Sequence, residues 1–492
     1  MSKQEINIVW LKRDFRLSDH AALSKAVEEG CPVLIVAFLE PSLMKAVQSD
    51  IRHWRFVRQS VEDMNELLSA ANAKVQLIHS EVVPCFQRLS EKFQIRKVFS
   101  YQETGIQLTY IRDKETARLF RDLDIQWVEF PYAGVIRGIK RRKNWPKHWY
   151  STMAAKQDSV DLSKLKAVTI ASGEFPTGWW DLPKEVEDRP EGFQIGGSSL
   201  AKQYLNSFFE ERVSHYNQHI SKPALSRKSC SRLSPYLAWG NLSMRQVYQA
   251  AVETKKSSNQ KWNINSFMSR LRWHCHFIQK FEMMEQYEIE NINPGYDGLR
   301  IDWDEEKYRA WEQGQTGYPL IDACMRCLHA TGYINFRMRS MLVSFLTHHL
   351  WLHWKRGADY LASLFLDFEP GIHYAQFQMQ AGTTGYNTVR IYNPVKQSKE
   401  NDPDGVFIKA WVPELGQLSP SLIHEPWKMS EFEQQMGGCI LGADYPLPIV
   451  DIKTTYKSAS KALWSMKKNP TVRKEARRIL AKQDEETRPI DG

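Results

Sequence analysis

The chain has 492 residues, a formal net charge of +9 and a pI near 9.0. This length exceeds one typical domain, so two or more domains are expected, and the basic balance favours an anionic partner such as nucleic acid over purely solubilising charge. The charged start and the lack of any long apolar window exclude a secretory signal and a membrane-spanning helix, which predicts a soluble, cytoplasmic protein.

Residues 1–130 predict an α/β domain with a doubly wound parallel sheet. Five short apolar runs, rich in β-branched residues, alternate with amphipathic segments such as residues 51–70, as expected for strands that are buried on both faces. The runs are INIVWL, CPVLIVAFL, AKVQLIHS, RKVFSY and IQWVEF, in that order. No GxGxxG motif follows the first run, so a nicotinamide-type site is not supported there.

Residues 131–198 are typical of an interdomain connector. This stretch is basic and aromatic in RGIKRRKNWPKHWY and rich in Pro, Gly and Trp beyond it. From 199 to 480 helical periodicity dominates, including one long stretch over residues 340–366, which predicts a mostly α-helical second domain. A single basic amphipathic helix is predicted near the end of the chain, followed by a frayed tail at 481–492.

The seven cysteines show no framework spacing and fit free thiols in a reducing compartment. Cys324 and Cys327 form a CxxC inside a helix-like segment, and no second CxxC completes a metal site. We therefore expect buried core cysteines and predict no metal.

Two segments bring together polar groups that could hold a ligand. In SRKSCSRLSPYLAWGNLS, Ser229, Ser231 and Ser234 accompany a helix start, where backbone N–H groups bind phosphate, although such serines also serve as plain helix caps. In LFLDFEPGIHYAQFQMQAGTTGYNTVRIYNP, two acids precede a helix that Pro370 should start and Gly382 should end.

These segments resemble the photolyase and cryptochrome flavoprotein superfamily along essentially the whole chain. IVWLKRDFRLSDHAAL resembles the family's opening strand, SRLSPYLAWGNLS its flavin diphosphate loop, and RIYNPVKQSKENDPDGVFIKAWVPEL its closing segment. The resemblance implies an α/β domain that often holds an antenna chromophore and a helical domain with FAD in a cavity open to DNA. In repair members, excited reduced flavin donates an electron to a pyrimidine dimer; in cryptochromes, flavin photoreduction drives signalling.

The resemblance assigns two sets of cofactor contacts. The FAD phosphates would be held by Tyr216, Cys230, Ser231, Arg232, Leu233 and Ser234. The flavin ring would be contacted by Arg339, Asp367, Phe368, Glu369 and His373. Cys230 stands where threonine is common, and backbone donors should compensate. Arg339 would stabilise a reduced, anionic flavin while Asp367 fixes the guanidinium, although the residues alone allow a plain ion pair between helices.

The DNA-facing positions depart from those of enzymes that repair cyclobutane dimers. The resemblance assigns this role to Arg270, Trp273, His274, Asn335, Arg337 and Met379. Dimer-repair relatives carry glutamate at Arg270 and arginine at His274, while their lesion-contacting asparagine aligns with Phe336, beside Asn335. Met379 replaces an aromatic of the lesion pocket. The usual substrate therefore does not follow from the resemblance.

The expected catalytic electron-transfer positions are His373, Phe377, Trp354 and Trp303. His373 occupies the position that faces flavin N5, and we predict that it tunes the flavin redox state. Phe377 replaces the tryptophan nearest the flavin, Trp354 matches the middle member and Trp303 the outer one. Because phenylalanine is hard to oxidise, we predict slow photoreduction or a detour through Trp351 or Tyr374.

The predicted function is light-driven, FAD-dependent repair of pyrimidine dimers or (6-4) photoproducts by a monomeric DNA photolyase. The positive charge, the basic connector and a short tail favour it. A cryptochrome-like photoreceptor, favoured by the altered lesion contacts and His373, and a light-independent flavoprotein are the alternatives. An antenna of open identity is expected beside SYQETGIQLTYIRDKETARLF, and Cys439, alone in the last part of the chain, excludes the four-cysteine iron–sulfur cluster of one family branch.

Overall fold

A computed structural model of the chain describes residues 3–171 and 173–483. They form two compact units. The first unit comprises the described residues within Met1–Glu211, Ser231–Glu288 and Leu366–Ile372; the second comprises those within Arg212–Cys230, Ile289–Phe365 and His373–Gly492. The domain bounds predicted from the sequence stay predictions, and the predicted frayed end beyond residue 483 lies outside the described residues.

A parallel sheet with flanking helices organises the first unit, as predicted. Its strands are β1 (Gln4–Leu11), β2 (Val33–Leu39), β3 (Val75–His79), β4 (Phe93–Tyr101), β5 (Gln126–Phe130) and β6 (Ala167–Val168). The order is β3-β2-β1-β4-β5, and β6 pairs with β2. Every residue of β2 is buried, which explains its uninterrupted apolar sequence. Each such side chain contributes about 1.5–3 kcal/mol by leaving water. The sequence missed β6 because two residues show no periodicity.

Helices make up most of the remaining structure. The α-helices are α1 (Ala21–Glu28), α2 (Pro41–Met44), α3 (Ile51–Leu68), α4 (Val82–Lys92), α5 (Gln107–Asp122), α6 (Trp145–Ala154), α7 (Ser198–Glu210), α8 (Tyr216–His219), α9 (Pro223–Ser229), α10 (Ser234–Ala238), α11 (Met244–Ser257), α12 (Lys261–Glu282), α13 (Glu305–Gln313), α14 (Pro319–Thr331), α15 (Phe336–Ser344), α16 (Trp354–Leu364), α17 (Pro370–Ala381), α18 (Pro394–Asn401), α19 (Val406–Trp411), α20 (Glu431–Gly437), α21 (Ile452–Lys468) and α22 (Pro470–Gln483).

Short 3-10 helices and one π-helical turn complete the helical inventory of the described chain. The 3-10 helices are Ser69–Ala71, Leu162–Lys164, Thr177–Trp179, Lys184–Val186, Arg212–His215, Glu285–Glu288, Pro294–Tyr296, Pro413–Leu415 and Pro426–Lys428. The π-helical turn is Phe345–His349, directly after α15.

The structure divides two stretches that show helical periodicity in the sequence, and the prediction of a single helix near the end of the chain was wrong. The stretch 340–366 is not one helix, because the chain leaves α15 through the π-helical turn and Trp351 adopts a left-handed φ of 58° before α16 begins. The basic segment near the end of the chain forms two helices, since Pro470 cannot continue α21 and instead starts α22.

Other predictions for the second unit are confirmed. Cys324 and Cys327 lie inside α14 and are fully buried. Helix α17 starts at Pro370, and Gly382 follows its end with a φ of +78° that favours glycine. Within residues 3–171 and 173–483, no helix combines the length and apolar character needed to cross a membrane.

Candidate functional site

The loop between α9 and α10 carries the residues assigned to the FAD phosphates. Its first-unit part turns at Arg232, whose φ is +58°. The Arg232 guanidinium donates to Gln194 Oε1 from Nε at 3.1 Å and from Nη2 at 2.7 Å, and the Arg232 carbonyl accepts from Gln194 Nε2 at 3.0 Å. This clamp offsets the cost of the left-handed backbone, about 1–2 kcal/mol. Ser231 and Ser234 flank the turn and stay partly exposed.

The second-unit part of the same loop is held by its own bonds. The Cys230 carbonyl accepts a hydrogen bond from Arg212 Nη1, and the Ser229 hydroxyl lies 2.8 Å from His219 Nδ1. Tyr216 and Cys230 are both buried. The loop backbone is therefore fixed without the threonine hydroxyl that Cys230 replaces.

The acidic segment before α17 is fixed in the first unit by three contacts. Trp239 Nε1 donates to the Leu366 carbonyl at 2.9 Å, and Arg13 Nη1 donates to the Phe368 carbonyl at 2.9 Å. Glu369 is buried, with Oε2 3.0 Å from His274 Nε2. The sequence had assigned His274 to DNA and Glu369 to flavin, and did not foresee that the two side chains lie at ion-pair distance from each other.

Arg339 lies on α15 in the second unit. Its Nε donates to the Ile334 carbonyl at 2.9 Å, and its guanidinium carbon lies 3.9 Å from the centre of the Phe365 ring. A guanidinium over an aromatic face is attracted to the ring's negative quadrupole. Asp367 belongs to the first unit, and its pairing with Arg339 stays a prediction.

The residues assigned to electron transfer cluster around α16 and α17 in the second unit. His373 Nε2 donates to the Ala358 carbonyl at 2.8 Å, because a carbonyl can only accept. The His373 ring centre lies 5.6 Å from that of Phe377, which in turn lies 6.5 Å from that of Trp354. Phe377 and Trp354 are buried. The expected neighbours along the transfer path are thus in contact.

Trp303 occupies a more exposed position of the second unit. It is 39 % exposed, and its Nε1 donates to Glu305 Oε2 at 2.8 Å. The Arg356 guanidinium lies 5.1 Å from its ring centre, and the Tyr308 ring lies 5.0 Å away. Its role as the outer member of the path stays a prediction.

The chain is similar to known proteins along most of its length. Two family models match the chain, "DNA photolyase" over residues 7–157 and "FAD binding domain of DNA photolyase" over residues 267–465. The chain is 29% identical to a deoxyribodipyrimidine photo-lyase of Alkalihalophilus pseudofirmus, over 93% of this chain and 98% of that protein. It is 28% identical to a cryptochrome DASH of Gloeobacter violaceus, over 90% and 93%. A crystal structure of a class III photolyase from Agrobacterium tumefaciens, 25% identical, superposes with a TM-score of 0.81 over 95% of this chain and 99% of that one.

The chain belongs to the photolyase and cryptochrome superfamily. FAD is therefore its cofactor. The donor set fits this group, because the partly exposed Ser231 and Ser234 hydroxyls flank a fixed turn and can donate to a diphosphate. The role of Arg339 beside a reduced flavin ring stays a prediction.

One face of α12, in the first unit, carries two of the residues that the sequence assigned to DNA, Arg270 and Trp273. Arg270 is exposed, and Trp273 is 40 % exposed with its ring 5.1 Å from that of His276. Sequence reasoning missed Trp262, which is 71 % exposed. Eleven residues separate the two tryptophans, so helical geometry places both on one face. We call Trp262, Arg270 and Trp273 the α12 face.

A basic stretch packs against the same helix within the first unit. Arg142 Nη2 donates to His276 Nδ1 at 2.7 Å, and Gln279 exchanges hydrogen bonds with the backbone of Ile136 at 2.7 and 3.0 Å. Around Arg142, four cations are exposed, namely Lys140, Arg141, Lys143 and Lys147. The connector predicted as basic therefore adds positive charge to the unit that carries the α12 face.

The remaining DNA-side predictions fall in the second unit. Asn335 is buried and caps α15, with Oδ1 accepting from the Met338 N–H at 3.0 Å. Arg337 Nε donates to Ser221 Oγ at 3.0 Å. Phe336 is exposed, and Met379 is partly buried. Their contacts with DNA stay predictions.

A cavity of about 80 Å³ opens at the carboxyl ends of β1, β2 and β4 in the first unit. We call it the strand-end cavity; its lining includes Trp10, Lys12, Arg13, Phe38, Glu40, Glu103, Thr109, Arg112, Trp239 and Phe368. Parallel α/β sheets bind ligands at this edge, where strand order reverses beside the first strand. Phe368, predicted to contact flavin, thus lines this cavity.

A shared guanidinium dominates the charge of the strand-end cavity. Arg112 donates to Glu40 Oε1 at 2.6 Å and to Glu103 Oε2 at 2.5 Å. Burial raises the pKa of Glu40 to about 7, and the nearby carboxylates of Glu103 and Glu81 add to the rise, while Arg112 opposes it. The cavity therefore holds a carboxyl group that can take up a proton near neutral pH.

Proposed function

We propose that the chain is a DNA photolyase that repairs ultraviolet-induced pyrimidine photoproducts with light and reduced FAD. The observation that carries the proposal is the α12 face, which exposes two tryptophans and an arginine in a unit with a dense basic stretch. Exposed aromatic rings stack on unpaired bases, and clustered cations attract phosphates. A protein that only signals has no need of this combination.

The bound flavin would supply the chemistry, because an excited reduced flavin is a strong one-electron donor. The chain's own residues hold and orient it. Ser231 and Ser234 would donate to the diphosphate, and Arg339 would balance the negative charge of the reduced ring. The His274 and Glu369 pair would fix the segment that reaches the ring's polar edge.

A lesion must leave the duplex before an electron can reach it. Flipping costs less for a damaged base, which stacks and pairs poorly. Trp273 and Trp262 would stabilise the opened strand by stacking, and Arg270 would pair with a phosphate or a lesion carbonyl. The flexible thioether of Met379 would form an adaptable wall of the lesion pocket.

The strand-end cavity is the proposed site of an antenna chromophore. Glu103, Thr109 and Arg112 come from the segment that the sequence assigns to the antenna side, and all line the cavity. At about 80 Å³ the space is smaller than the roughly 300 Å³ of the smallest typical ligand pockets. Binding there would therefore require lining side chains such as Arg13 to move.

A cryptochrome-like photoreceptor is the second candidate. The observation that favours it is the 3.0 Å contact between His274 and Glu369, since His274 stands where dimer-repair relatives carry a DNA-side arginine and here faces an internal carboxylate. Several of the curated relatives are also named cryptochromes.

Binding in the dark separates the two candidates. FAD-loaded, reduced protein is titrated with duplexes that carry one cyclobutane dimer, one (6-4) photoproduct or no lesion, at several salt concentrations. The photolyase proposal expects tighter binding to one damaged duplex and an affinity that falls steeply with added salt. Equal affinity for all three duplexes would favour the photoreceptor.

A further inference from the structure

A buried tyrosine on α17 donates its hydroxyl hydrogen to a carboxylate on α16. Tyr374 is fully buried in the second unit, and its Oη donates to Asp359 Oδ1 at 2.9 Å. A phenol that is already bonded to a carboxylate has its proton acceptor in place before any reaction begins.

Two further titratable groups face Tyr374. Lys355 Nζ bonds both oxygens of Asp359 at 2.6 Å and lies 5.5 Å from the centre of the Tyr374 ring. The His373 ring centre lies 5.4 Å away. A cation this close raises the energy of a positively charged ring. Tyr374 can therefore lose an electron readily only if its hydroxyl proton leaves at the same time, and Asp359 lies within hydrogen-bond distance to accept it.

Tyr374 is connected by ring contacts to the position where the family's first tryptophan is replaced. The His373 ring lies 5.4 Å from Tyr374 and 5.6 Å from Phe377. Phenylalanine itself is too hard to oxidise to act as a donor. Two ring contacts, through His373, therefore connect Tyr374 with Phe377, the position that the sequence predicts to lie nearest the flavin.

The neighbouring tryptophans are less suited to a coupled loss of electron and proton. Trp354 donates its indole N–H to the neutral amide oxygen of Asn291 at 2.8 Å, a weaker acceptor than a carboxylate. Trp351 carries the Arg300 guanidinium 4.8 Å above its ring, which opposes positive charge there.

We propose that Tyr374 and Asp359 form a proton-coupled electron donor for photoreduction of the flavin; this rests on the light-driven flavin chemistry proposed above. The one-electron oxidant is the photoexcited oxidised flavin. Tyr374 loses one electron to it and, from its O–H bond, one proton to the Asp359 carboxylate. The tyrosine becomes a neutral radical and Asp359 a neutral carboxylic acid, so electrons and protons balance.

The test follows the tyrosyl radical by electron paramagnetic resonance after a blue flash on full-length protein with oxidised FAD. Wild type should form the radical, and Tyr374→Phe should not. Asp359→Asn should form it about 100-fold more slowly, the usual contribution of a positioned base, and Asp359→Glu should restore the rate. Tyr360→Phe removes another hydrogen-bonded hydroxyl from the second unit, on α16, and serves as the control with wild-type behaviour.

Equal FAD absorbance and circular dichroism identify the variants that fold. Independently of the flavin, ultraviolet resonance Raman in the dark should show a changed tyrosine hydrogen bond in Asp359→Asn. An undiminished radical in Tyr374→Phe overturns the proposal, as does an unchanged rate in Asp359→Asn. Repair by chemically reduced protein does not use this donor. A wild-type protein that forms the radical but restores no pyrimidine would therefore refute the repair function without contradicting the role of Tyr374 and Asp359.

Discussion

The two compact units carry their candidate functional side chains in different surroundings. On α12, in the first unit, Arg270 and the two tryptophans are exposed to solvent. On the part of α17 that belongs to the second unit, Tyr374 and Phe377 are buried among other rings. The sequence predicts differences from dimer-repair relatives in both regions. A difference at the surface should change DNA binding alone, whereas one in the interior should change electron transfer and packing together.

The largest expected effect concerns the α12 face. A protein with both Trp262→Ala and Trp273→Ala should bind lesion-bearing DNA more weakly by roughly 2–6 kcal/mol, because each stacked base contributes about 1–3 kcal/mol. Its unfolding free energy should change by less than about 1 kcal/mol, since both rings are exposed. Fluorescence anisotropy measures the affinity.

A matched control for this variant comes from the second unit. Trp464 lies on α21 and is 49 % exposed, so it matches the exposure of the α12 tryptophans without belonging to that helix. Trp464→Ala should leave the DNA affinity unchanged. An equal loss of DNA affinity in this control would mean that exposed tryptophans contribute nonspecifically, and it would contradict a specific role of the α12 face in DNA binding.

The next effect concerns the strand-end cavity of the first unit. Because the folded pKa of Glu40 is raised from 4.5 to about 7, the native state binds more protons than the unfolded state between these values. Stability contributed by protonated Glu40 is thus present below about pH 4.5 and lost as the pH rises through about 7. Glu40→Gln should remove this loss, worth up to about 3 kcal/mol.

Urea unfolding of wild type and Glu40→Gln on either side of this window measures the change. The unfolding free energy of Glu40→Gln should increase relative to that of wild type as the pH rises. A constant difference between the two proteins at every pH would show that Arg112 keeps Glu40 ionised throughout.

The smallest effect concerns the interior of the second unit. Phe377→Trp should accelerate flavin photoreduction about tenfold or more, because an oxidisable ring then replaces one that blocks the first transfer. Since Phe377 is buried, the larger ring should also cost about 1–3 kcal/mol of stability. Transient absorption after a flash gives the rate, and an unaccelerated rate would contradict the role of this position.

Much of the fold could be predicted because its signals are local. The strands β1 and β2 are apolar runs that are almost wholly buried, whereas the edge strand β5, also found from its apolar run, is only partly buried. Pro370 and Gly382 bound α17 through their own backbone chemistry. The break before α16 could not be predicted, because the left-handed φ at Trp351 interrupts a sequence whose helical periodicity continues across it.

The candidate site was only partly predictable because its decisive contacts join residues far apart in sequence. The acids before α17 stand out by composition. The contact between His274 and Glu369, the packing of Arg142 on His276 and the pairing of Tyr374 with Asp359 depend on how segments far apart in sequence meet. Trp262 was missed because a lone tryptophan in a helical pattern is usually a core residue, and only its exposure reveals the α12 face.

Light-dependent repair is the most direct test of the central claim. Purified protein with chemically reduced FAD is illuminated with oligonucleotides that carry a cyclobutane dimer or a (6-4) photoproduct, single- and double-stranded, and restored pyrimidines are quantified against dark controls. We expect restoration of at least one lesion in the light and none in the dark. No restoration of either lesion in either strand form, by protein whose FAD is bound and reduced, would contradict it.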